Sequence, residues 1–131
     1  MTLDRLFFAL AALLGGTAVA AGAFATHALQ GQITPRLLEV FETGSRYQMY
    51  HALTLTVVAL ALRSSLGHAT WLVAGGWALV VGTVIFSGSL YALSLSGVGL
   101  LGAVAPLGGG ALIVGWGCLA VAAWLGSSSP T

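Results

Sequence analysis

The residues able to do chemistry in this chain fall between His27 and Tyr91: His27, Glu39, Glu42, Arg46, Tyr47, Gln48, His51, Ser87, Ser89 and Tyr91. Two imidazoles, His27 and His51, could ligate haem or a metal ion, because neutral imidazole is a common ligand. Either imidazole beside Glu39 or Glu42 could also pass protons. Each reading has a plainer counterpart. A pair of histidines without a third ligand at metal spacing is a weak signature, and interfacial histidines more commonly hydrogen-bond a carbonyl or a carboxylate. Glu42 and Arg46 stand four apart in the favourable order for an ion pair on a helix. Ser87 and Ser89 belong to no nucleophile motif, and Ser87-Gly88-Ser89 suits helices that approach closely. Gly108-Gly109-Gly110 lies in an apolar run with no lysine after it, so it is no phosphate cradle. The expectation is a protein without a cofactor, metal site or catalytic residues.

The elements that position these groups follow from composition. Hydrophobic residues make up 58% of the 131 and charged residues 5%, with a net charge of +1. Soluble domains carry about 25% charged residues; four basic and three acidic side chains cannot solvate a surface of this size. Nucleic-acid binding is excluded, since it needs clustered Lys and Arg. The lone Cys118 rules out an internal disulfide or a cysteine-based zinc site. The fold class is an all-α integral membrane bundle, with lipids as its surroundings.

A helix needs about 20 apolar residues to cross a hydrocarbon layer about 30 Å thick. Charges mark where such runs end. They predict four transmembrane helices in a single domain covering 1–131, at about 6–26, 47–63, 70–93 and 98–125. The second is short, about 24 Å from Tyr47 to Leu62, with Arg63 able to snorkel and Tyr47 and Tyr50 suited to the headgroup level. Ala23-Phe24-Ala25 resembles a signal cleavage site, but the preceding run is long for a signal and reads as an uncleaved anchor. Four spans place both termini on one side. Arg5 and Arg63 lie there, and Arg36 and Arg46 lie opposite, so the positive-inside count is balanced.

Between the first two spans, Thr34 offers an N-cap and Pro35 a first helical position. Leu37, Leu38 and Phe41 then face one way, and Arg36, Glu39, Glu42 and Arg46 another. This pattern predicts a short interfacial amphipathic helix at about 34–44, with Gly44 as a hinge into span two. The same topology gathers His27, His51 and the other polar candidates in one leaflet, whereas the other half is nearly all Ala, Leu, Val and Gly. Glycine is abundant, at 19 residues. Close helix packing is expected at Gly88, Gly108 and Gly109, and a kink in span four at Pro106.

The motifs Gly22-Ala23-Phe24-Ala25-Thr26-His27-Ala28-Leu29, Tyr47-Gln48-Met49-Tyr50-His51-Ala52-Leu53, Phe86-Ser87-Gly88-Ser89-Leu90-Tyr91, Pro106-Leu107-Gly108-Gly109 and Gly115-Trp116 run in one order. In order and spacing they resemble domain-of-unknown-function family 423, the family of YgdD-like and transmembrane protein 256-like small membrane proteins. The resemblance covers nearly the whole chain and carries no established activity. It implies a bacterial inner (plasma) membrane or organelle membrane. Relatives often bear basic residues between spans two and three and in the tail, which would put Arg63 and both termini in the cytoplasm; the tail here, Ser127-Ser128-Ser129-Pro130-Thr131, lacks them.

Two functional expectations stand beside each other. One is a structural or accessory protein, partnered with a membrane complex or another copy of itself. The other is a small-molecule, lipid or quinone binding or transport protein using the polar leaflet. A membrane-embedded enzyme is not expected.

Overall fold

Helix follows helix through the described residues, 1–126, of a computed structural model: α1 (Leu3–Phe24), a π-helical turn (Ala25–Leu29), α2 (Pro35–Arg63), α3 (Ala69–Ser96), a 3₁₀ turn (Gly99–Ala103) and α4 (Ala105–Trp124). The uncharged tail that bears on orientation, 127–131, lies outside the described residues. The end of α1 widens where the Gln30 N–H donates five residues back to the Ala25 carbonyl at 3.0 Å. Gly31, at φ +80°, then turns the chain. The Thr34 hydroxyl accepts from the Leu37 N–H at 3.3 Å, and Pro35 opens the next helix.

The predicted interfacial helix is present as helix but not as a separate element. Pro35 to Arg63 is one continuous helix of 29 residues, about 44 Å long against a hydrocarbon layer of about 30 Å. Gly44 is no hinge. It costs the helix only about 1 kcal/mol relative to Ala, and the Tyr91 ring packs directly against it: a Cβ there would lie 2.9 Å from Tyr91 Cε1. The charged first third of α2 therefore projects beyond the apolar part. Among the described residues, three helical stretches are long and apolar enough to cross a membrane unaided: Leu3–Leu29, Ala69–Ser96 and Gly99–Trp124. The more polar α2 lies antiparallel between α1 and α3 and shares their depth.

The helices pack in chain order, α1 on α2, α2 on α3 and α3 on α4. The core gathers Phe7, Ala11, Leu55, Val58, Ala59, Leu79 and Leu112. Phe7 reaches α3, where the missing side chain of Gly76 makes room: a Cβ there would fall 2.6 Å from Phe7 Cζ. The α3–α4 seam has a regular logic. On α3 the residues Gly75, Leu79, Gly82 and Phe86 recur at intervals of four, three and four; on α4 Gly108, Leu112, Gly115 and Leu119 do the same. Run antiparallel, each large residue covers a glycine of the partner. A Cβ on Gly75 would meet Leu119, on Gly82 Leu112 at 2.9 Å, on Gly115 Leu79 at 2.9 Å, and on Gly108 the backbone of Phe86. Lipid tails provide no hydrophobic drive between helices, so this dispersion contact is what holds α4.

Other glycine and proline expectations need correction. A Cβ on Gly88 would meet nothing within 4 Å, and one on Gly109 would make only ordinary contact with Phe86, at 3.7 Å. Gly88 points away from the α4 seam. Pro106 does not kink a continuous span four. It occupies the first turn of α4, after the 3₁₀ turn has ended at Ala103; its missing N–H is harmless there. At the other end, Gly67 (φ +87°) lets the α2–α3 loop lie against α4, where the His68 N–H donates to the Ala122 carbonyl at 2.9 Å.

Replacing Gly108 with Leu should destabilise the bundle by about 3 kcal/mol or more, because the added atoms collide with backbone that cannot move aside. Gly88→Ala should instead leave stability unchanged or raise it by up to about 1 kcal/mol through helix propensity. Thermal melts followed by circular dichroism in mild detergent compare the two; equal melting points would contradict the α3–α4 register.

Candidate functional site

Gln48 is the node of the polar leaflet. It sits in the middle of α2, 6% exposed, and its amide reaches both neighbouring helices. Nε2 donates to the Leu14 carbonyl at 2.8 Å and to Thr17 Oγ1 at 2.7 Å, both on α1. Oε1 accepts from the Tyr91 hydroxyl of α3 at 2.7 Å. Both N–H donors are thus used, and the oxygen has a partner. One turn earlier on α2, the Gly44 carbonyl accepts from Ser87 Oγ at 2.7 Å. Gly44 and Gln48 are four apart on α2, as Ser87 and Tyr91 are on α3, so two adjacent turns of each helix are tied together.

His51 is tied in the same manner, toward α4. Indole N–H is only a donor, so the Trp116 Nε1–H donates to His51 Nε2, at 3.2 Å. The proton then sits on Nδ1, which donates to the Tyr47 carbonyl at 2.6 Å. Both ring nitrogens are occupied, and neither is turned to an open coordination position. Tyr47 stacks on the imidazole at 6.1 Å between ring centres and packs on Phe86 at 4.9 Å. Trp116 and Thr17 are the partners that sequence reasoning missed. The signal for Trp116 was available: an indole within an otherwise aliphatic span needs an acceptor for its N–H.

The remaining candidates do not join this node. Gly15 opposite Ala52 and Gly22 opposite Ser45 set the register of α1 and α2. His27 therefore lies near the level of Val40, about 16 Å along the bundle from the level of His51. The expectation that His27 and His51 gather in one polar site is corrected: His27 is exposed and lies beyond the node, alongside the first turns of the long α2. Glu42 pairs with Arg46 at 3.2 Å, both partly exposed, and Glu39 is exposed. Ser89 turns back to the Phe86 carbonyl at 2.8 Å. Beneath the charged section, Phe41 is buried between Phe24 and Tyr91, with ring centres at 5.9 and 4.7 Å. One turn from Ser87, the Thr83 hydroxyl is buried without a hydrogen-bond partner among the described residues.

Chemically, this arrangement cross-braces helices. No group of three His, Cys, Asp or Glu side chains gathers at metal-binding distance among the described residues. Clefts of about 660 and 280 Å³ open at the opposite end, beside Ser64 and Leu66 and beside Arg5 and Arg63 respectively.

Residues 21–109 match the family described as a protein of unknown function (DUF423), a stretch containing every residue of the node except Leu14, Thr17 and Trp116. The chain is 44% identical over 119 residues to the UPF0382 membrane protein YwdK of Bacillus subtilis, covering 91% of this chain and 96% of that one. It is 41% identical over 118 residues to a UPF0382 membrane protein of Staphylococcus epidermidis, covering 90% and 94%. A UPF0382 membrane protein of Staphylococcus aureus is similar at 40% identity over 118 residues, again covering 90% and 94%. No solved structure matches the chain. With an all-helical membrane bundle, the matched motifs and relatives of nearly equal length, the chain belongs to the DUF423 family of small membrane proteins.

Proposed function

We propose that this protein is a non-enzymatic accessory protein of the bacterial inner membrane, acting by binding a membrane protein complex or a second copy of itself. The observation that carries this reading is the internal saturation of the polar node: Gln48 and His51 bond other helices of the same chain. Buried polar groups in lipid that mark a substrate path line a water-filled cavity, whereas these brace three interhelical contacts. Its outward-facing helix surfaces are what remain for recognition. In this reading both termini, which four spans place on one side, face the cytoplasm.

Gentle extraction from native membranes followed by native mass spectrometry tests the role. A defined homo-oligomer, or one additional protein in fixed stoichiometry, is expected. Reproducible isolation of a bare monomer would end this proposal. A monomer carrying one small molecule of fixed mass would turn attention to binding or transport instead.

The bracing interpretation makes its own forecasts. Gln48→Leu should lower stability by roughly 1–2 kcal/mol, by leaving the Tyr91 hydroxyl without its acceptor in a setting where interhelical bonds are worth that much at most. Thr83→Val should do the reverse and raise stability by about 1 kcal/mol, since it removes a buried hydroxyl that has no partner. Denaturation of the two variants in the same detergent, read against the unmodified protein, distinguishes them. If Thr83→Val proves destabilising, the hydroxyl has a partner and the node extends further than described.

A further inference from the structure

We infer that the groove between α1 and α2, at the end holding Asp4 and Arg63, binds the phosphate and one acyl chain of an anionic phospholipid. All the acidic and arginine side chains at this end of the bundle (Asp4, Arg5 and Arg63) line one groove of about 280 Å³. Two guanidinium groups against one carboxylate leave it net positive. Asp4 meets Arg63 only at 3.9 Å, with the Arg63 side chain 74% exposed, and Arg5 has no carboxylate within ion-pair distance among the described residues. Guanidinium N–H groups at a membrane boundary match phosphate oxygens in charge and in forked geometry. Basic pockets between transmembrane helices recur as sites for anionic headgroups.

The order of residues along the groove points to a lipid. Charge stands at the mouth. One turn inward the walls become Phe8 and Leu60, both more than half exposed, with Ala9 exposed beside Phe8 and Ala59 buried at the floor. Apolar side chains thus follow the charged rim one turn inward, the order in which a headgroup and the start of its chain would lie.

The test uses the full chain in mild detergent, offered phosphatidylglycerol and phosphatidylcholine with identical acyl chains, with retained lipid counted by native mass spectrometry. The unmodified protein should retain phosphatidylglycerol preferentially, by roughly tenfold. Arg5→Gln with Arg63→Gln should abolish the preference. Arg36→Gln with Arg46→Gln, which removes equal charge from the opposite end, should keep it. Leu60→Ser, at an exposed wall position, should lower retention with every charge in place. Equal retention of both lipids by the unmodified protein would overturn the proposal, as would undiminished preference in the Arg5/Arg63 variant. Should that variant fail to fold, the unmodified protein decides alone: its melting temperature should rise with phosphatidylglycerol and not with phosphatidylcholine or inorganic phosphate. A rise with phosphate alone would show an ion site rather than a lipid site and would equally overturn it.

Discussion

Inside a hydrocarbon layer a side-chain amide has no water to turn to, so its hydrogen bonds must come from protein. Gln48 meets that demand by bonding α1 through Leu14 and Thr17 and α3 through Tyr91. The geometry of the first three helices depends on it. A slide of α1 or α3 by one residue would move its partner atoms about 1.5 Å along the bundle, enough to break a 2.7 Å bond. The Ser87–Gly44 bond one turn away adds a second point at which the same slide is resisted. Two bonds a turn apart fix depth and rotation together, which neither could do alone.

The attachment of α4 works by a different physics. Its seam with α3 is built from shape, a glycine of one helix beneath a large residue of the other over three turns, with the Trp116–His51 bond as its polar link to α2. Because α2 and α4 meet through that side-chain contact rather than backbone to backbone, space remains between them toward the Ser64 end. The closest helix approach lies on the α3–α4 seam, where Gly108 meets the Phe86 backbone, whereas the polar bonds gather around Gly44, Gln48 and Tyr91.

Much of this was legible in the sequence, for identifiable reasons. Charge positions bound the apolar runs, and topology then placed Gln48, His51, Ser87 and Tyr91 on one side without any coordinates. Which of them touch was not legible, because depth is shared by residues on opposite faces. His27 was grouped with them because local pattern does not reveal that α2 continues unbroken through Gly44; the ring that covers this glycine belongs to Tyr91, 47 positions away. Counting glycines likewise announced close packing without identifying the seam. The four-three-four spacing shared by Gly75 to Phe86 and Gly108 to Leu119 was the available signal, and it excludes Gly88, whose neighbour Ser87 faces α2.

The placement of Gln48 also bears on how the chain enters a membrane during synthesis. Taken alone, α2 is a poor candidate for insertion, since it carries an amide, an imidazole and several charges. α1 precedes it in the chain and displays the Leu14 carbonyl and the Thr17 hydroxyl at the matching depth. The two helices therefore partition most favourably as a hairpin, the earlier one acting as solvent for the polar groups of the later one.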